Sequence, residues 1–116
     1  MKRVMIAISI LIICAISIFG HTVSKEEVIA YLNSKEVRET ACVERAAMEE
    51  KLPRLLVIEV GDGWFKLSEK DRQENAKKWH TIWRHSVPDG IVSIIEKTTG
   101  KSVVSYRPDG RIDLLK

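Results

Sequence analysis

Residues 67–86 read LSEKDRQENAKKWHTIWRHS, and the start, the apolar face and the end of one helix are all legible in them. Ser68 with Asp71 three residues on has the form of a capping box, the hydroxyl accepting the Asp71 backbone N–H. Arg72, Ala76, Trp79 and Trp83 follow at 4-3-4 spacing with Ile82 beside them, while Lys70, Glu74, Lys77 and Lys78 fall on the opposite side. The spacing predicts an amphipathic helix with two tryptophans on its inward stripe. Such a helix is stable only against a surface, and the apolar segments on either side of it supply one.

Leu55 to Val60, LLVIEV, is nearly all apolar and rich in β-branched residues without alternation, which predicts a strand covered on both faces or central in a sheet. Gly61-Asp62-Gly63 punctuates it before Trp64, Phe65 and Leu67 lead into the helix. Pro88-Asp89-Gly90 then turns the chain into a strand over Ile91 to Glu96. Turns at Thr98-Thr99-Gly100-Lys101 and Pro108-Asp109-Gly110 separate it from Ser102 to Arg107 and Arg111 to Leu115, a pattern that predicts a three-stranded antiparallel meander. Strand, crossover helix, strand implies a right-handed parallel unit, so the sheet is expected to be mixed, with Leu55 to Val60 beside a member of the meander.

Upstream, Ser24 and Glu27 make a second capping box before Val28, Ile29 and Leu32. Wound at about 100° per residue, the face of Val28 and Leu32 lies nearly opposite that of Val37, Ala41, Met48 and Leu52. One straight helix cannot bury both against one surface. The expectation is therefore two helices, 25 to 32 and 35 to 51, or one sharply bent helix; a single helix clamped between two partners is the alternative. Pro53 ends the segment. The fold class that follows is a two-layer α+β domain, N-terminal helices and then β-α-β-β-β, with a mixed, mostly antiparallel sheet.

Met1 to Arg3 is basic and Val4 to Phe19 is an apolar run broken only by Ser9 and Ser17, with Gly20 after it. This predicts a secretory signal peptide over residues 1–20 and a single domain over 21–116, helical over 24–52 and β-α-β-β-β over 54–116. A permanent anchor is the rival reading, but 16 residues reach about 24 Å against a hydrocarbon core of roughly 30 Å. Ile18 is large for its place before the cut, which leaves a cut after Ser24, or none, as alternatives. Cys14 follows Ile13, where lipidation favours a small residue. Without Lys2 and Arg3 the 19 basic residues become 17 against 16 acidic ones, so the remainder is near neutral and lacks the one-signed field of a nucleic-acid binder. Only Cys42 then survives, which excludes an internal disulfide and leaves one thiol.

The basic aromatic patch Lys77, Lys78, Trp79 and His80, with Trp83, Arg84 and His85, suits anionic headgroups or an acidic protein. The simpler reading places the tryptophans in the core and the cations at the negative end of the helix dipole. His80 and His85 lie about 140° apart around the helix and cannot share a metal ion. With no HExxH or CxxC pattern, neither metal nor cofactor is expected. Cys42, flanked a turn away by Arg38 and Arg45, suits pairing with another chain, thiol exchange or plain packing. Glu59, inside the apolar strand, is the carboxylate expected to be most desolvated and can form an acid–base pair only if folding brings Asp62, His80 or His85 to it. GxSxG, P-loop and GxGxxG patterns are absent.

The leading expectation is a small exported, non-enzymatic protein of the envelope or periplasm that binds another protein through a sheet face, sheet edge or helical layer. The alternatives are a small enzyme or redox protein using Cys42 or Glu59, and a membrane-tethered accessory protein with an uncleaved anchor over residues 4–19.

Overall fold

A computed structural model describes residues 23–115; the expected leader, with Cys14 and His21, lies outside them. The chain enters at α1 (Lys25–Leu32), where the capping box forms as its residues dictate: Ser24 Oγ accepts the Glu27 N–H at 3.1 Å and the Glu27 carboxylate accepts the Ser24 N–H. Ser34 Oγ accepts the Val37 N–H and opens α2 (Lys35–Ala41). Val28 and Leu32 of the first helix and Val37 and Ala41 of the second are buried in one core, so the break at Asn33-Ser34 lets two short helices face the same surface.

The second helix does not run to residue 51. It ends at Ala41, Cys42 takes a left-handed conformation with φ +62°, and Val43–Glu49 forms strand β1. Residues 43–51, expected to be helical, thus give the sheet an additional strand. Tertiary pairing overrides the good helix propensity of Glu, Arg, Ala and Met. In β1, Val43, Ala46 and Met48 lie opposite Val60, Ile58 and Leu56 of β2 (Leu52–Val60) in antiparallel register. A register shift between Val43 and Arg45 adds a residue, so the inward side chains are spaced first by three and then by two. The first spacing imitates a helix.

Asn33, in the junction between the helices, completes the outer edge of β1. Its Oδ1 accepts the Ala46 N–H at 2.9 Å, and its Nδ2 donates to the Ala46 carbonyl at 2.8 Å and to the Ile29 carbonyl at 2.9 Å. One carboxamide therefore presents the donor and acceptor that a neighbouring strand would present.

After β2, a 3₁₀ turn (Asp62–Lys66) carries Trp64 into the core, and Ser68 caps α3 (Glu69–Ser86) by accepting the Asp71 N–H at 3.1 Å. The helix returns the chain to β3 (Ile91–Glu96), parallel to β2 with Leu55 beside Ile91 and Val60 beside Glu96. The sheet order is β1-β2-β3, mixed as expected, with β2 central. The meander is split. β4 (Val104–Tyr106) and β5 (Ile112–Leu114) pair with each other as a separate two-stranded sheet, joined to β3 by a single antiparallel bridge from Ile95 to Ser102. The small sheet docks instead on α3, where Tyr106 Oη donates to the Ala76 carbonyl at 2.9 Å.

The α+β class holds, with the helices on one face of the mixed sheet. Their core includes Leu56, Ile58, Val60, Val92 and Ile94 from the strands and Trp64, Trp79 and Trp83. The Trp64 and Trp79 rings are 5.8 Å apart and tilted by 34°. Trp83 Nε1 donates to the Arg54 carbonyl at 2.9 Å, tying the end of α3 to the start of β2. Gly90 closes the Pro88-Asp89-Gly90 turn directly against that indole, because a Cβ there would stand 2.6 Å from Trp83 Cδ1 and 2.8 Å from the Val87 carbonyl oxygen. Among the described residues no helix is long and apolar enough to cross a membrane.

Candidate functional site

Strand geometry divides β2 and β3 between two environments, since successive side chains point to opposite faces. Leu56, Ile58, Val60, Val92 and Ile94 meet the helices, whereas Leu55, Val57, Glu59, Ser93 and Ile95 are only half-buried and Ile91 is 40% exposed. No described element lies over this second face. Its rows follow from the register: Arg45, Glu59 and Ile95 in one, Ala47, Val57 and Ser93 in the next, then Leu55 beside Ile91.

On the β1 side the face opens into a hollow of about 290 Å³. Ala47 and Val57 contribute its apolar lining, Glu59 and Arg45 stand at one end, and Glu49 and Glu50 approach from the end of β1 and the turn after it. Glu59 and Arg45 are cross-strand neighbours, yet among the described ion pairs none involves Arg45, Glu49, Glu50 or Glu59. The arrangement offers an apolar floor and several charged groups with unspent capacity, which is chemistry for binding. Glu59 cannot work with the helix imidazoles, because it points to the open face while α3 packs on the other.

The basic aromatic stretch of α3 comes apart in the structure. Trp79 and Trp83 are 1% and 0% exposed, so neither ring reaches a surface partner; they are core residues, as their stripe position also allows. Lys77 is exposed. Lys78 Nζ donates to Tyr31 Oη at 2.8 Å and sits 5.3 Å from that ring's centroid, holding α1 to α3. Arg84 turns back to the carbonyl of Pro88 with Nε and Nη2 at 3.2 and 3.1 Å, and His85 is exposed. His80 stacks on Tyr106 with centroids 4.6 Å apart. Burial, with the Arg84 charge one turn on, pushes the imidazole below its usual 6.5, and burial pushes the Tyr106 phenol up. This stack docks the small sheet on α3, and among the described residues of this stretch the cations and the buried indoles do not form one continuous surface.

Cys42 is partly buried at the end of α2. Its Sγ occupies the space beside Gly63, where an added Cβ would be 2.5 Å away, and its carbonyl accepts the Gly61 N–H at 3.0 Å. The thiol thus wedges the α2–β1 junction against the turn that follows β2. Among the described residues no group of three or more His, Cys, Asp or Glu side chains is placed to hold a metal ion.

The hollow needs β1, whose sequence reads as helix. Compared with family models, curated proteins and solved structures, the chain matches none.

Proposed function

We propose that this is a small exported protein without catalytic activity that works by binding another protein on the open face of its sheet. The reading of export rests on the basic start and apolar run of residues 1–20. The observation that carries the binding reading is the contrast across one sheet: the described helices all pack on one side, while Leu55, Val57, Ile91 and Ile95 present apolar surface on the other. Such strips, bordered by charged residues, mark sites of protein association.

The test places a photo-crosslinking amino acid at Val57, and in a separate protein at Lys70 on the exposed side of α3, within the native cell. The expected result is one crosslinked polypeptide of defined mass at Val57, lost when Ile91→Asp is added, and none at Lys70. Equal crosslinking at both positions, or a Val57 product indifferent to Ile91→Asp, removes the open face from the function. Intact mass of the same material reports the export step, which predicts a chain beginning near His21.

A further inference from the structure

The open face has two chemically different halves. Over β3 it presents Ile91, Ser93 and Ile95, with no charge. Over β1 and β2 the hollow combines an apolar lining with Glu49, Glu50, Glu59 and Arg45, three carboxylates against one guanidinium. An anionic or purely apolar occupant would leave the excess carboxylates unanswered. A lysine or arginine side chain answers both parts, since its methylenes lie along Ala47 and Val57 while its charged head meets the rim.

Distance sets where the partner's apolar residue must follow. The hollow lies over the Ala47–Val57 pair, between β1 and β2, so its centre is about one and a half strand spacings, or about 7 Å, from β3. In an extended chain, side chains on the same side recur every two residues, at about 6.6 Å. A segment crossing the sheet with a basic residue in the hollow therefore brings the residue two positions away over Ser93, between the side chains of Ile91 and Ile95.

Resting on the reading of the open face as a docking surface, we propose that its partner supplies an extended segment of the pattern basic, any, aliphatic. The basic side chain fills the acidic-rimmed hollow between β1 and β2, and the aliphatic one covers β3. Length and charge select this occupant together.

The experiment titrates the isotope-labelled full chain with three blocked peptides: Thr-Lys-Thr-Leu-Thr-Lys-Thr-Leu-Thr, the same peptide with glutamate for lysine, and the same with threonine for leucine. Backbone amide resonances are followed. The first peptide is expected to move Arg45, Ala47, Val57, Glu59 and Ile95, to weaken with added salt, and to bind at least about tenfold more tightly than the other two. In the triple variant Glu49→Gln, Glu50→Gln, Glu59→Gln its advantage over the glutamate peptide disappears. Val57→Lys, which fills the hollow with the protein's own cation, blocks it independently if the triple variant folds poorly.

Equal binding of the glutamate peptide on this face overturns the cationic partner and leaves the docking surface standing. Shifts confined to α3, or none with any peptide, overturn the cationic partner too. The docking surface itself then stands or falls with the Val57 crosslink. Concentration-dependent shifts of these amides without peptide mean that a second copy covers the face, which also overturns the proposal.

Discussion

Ile58 and Val57 are neighbours in one strand, and the sheet gives them opposite surroundings. Ile58 is fully buried beneath the helices, and Val57 lies half-buried on the open face beside the hollow. Hydrophobicity at the two positions is the same in kind and different in use. On the covered face it is consumed by folding, while on the open face it stays half-exposed. The two faces should therefore respond differently to truncation, and that difference can be measured.

The largest effect belongs to the covered side. Trp79→Ala and Trp83→Ala are each expected to destabilise by about 3–5 kcal/mol in chemical denaturation, as truncations of large core aromatics do. Near-neutral values for both would mean that α3 is not seated on the sheet, and the distinction between faces would collapse. Next comes the neighbouring pair. Ile58→Ala should cost about 2–5 kcal/mol and Val57→Ala about 0.5 or less, so the ratio of the two reads the asymmetry directly. Comparable losses would show that both faces are packed.

Asn33→Ala sharpens the comparison at the margin of the sheet. It removes both bonds to Ala46 and the bond to Ile29, and about 1–3 kcal/mol should go with them; faster amide exchange at Ala46 would locate the loss. The smallest effect lies at the rim of the helical layer. The folded protein disfavours protonation of His80 relative to an unfolded chain titrating near 6.5, so its contribution is complete above that pH and declines as pH falls through it. His80→Gln should flatten stability between pH 7 and 5 while leaving the open face unaffected. An unchanged slope assigns the acid sensitivity elsewhere.

These contrasts also explain what could be read from the chain alone. The α3 stripe was legible because a capped helix covering one surface keeps its period, and Ala76, Trp79 and Trp83 are all buried where that period places them. The parallel partnership of β2 and β3 followed from the crossover between them. β1 was not legible, because its bulge spaces Val43 and Ala46 like residues of a helix and its composition favours one. With β1 went half of the candidate site, since the hollow is assembled from residues of β1, the turn after it and β2. The split meander was hidden for a different reason. Short strands and turns are local, but the choice of β4 and β5 to dock on α3 depends on contacts such as Tyr106 with Ala76 and His80, 30 and 26 residues away in the chain.

The carboxamide of Asn33 has a consequence for how copies of this domain behave at high concentration. A sheet can grow by adding strands only where its outermost backbone groups are vacant, and fibrous aggregation begins at such margins. One side chain occupies that position at Ala46 on β1, while residues 101–103 occupy the far half of β3 through the bonds of Glu96 to Lys101 and Val103 to Ile94. Lateral recruitment is thereby obstructed at both sides of the ribbon, and a domain can carry an apolar surface that no described element covers without offering its backbone as a template for polymerisation.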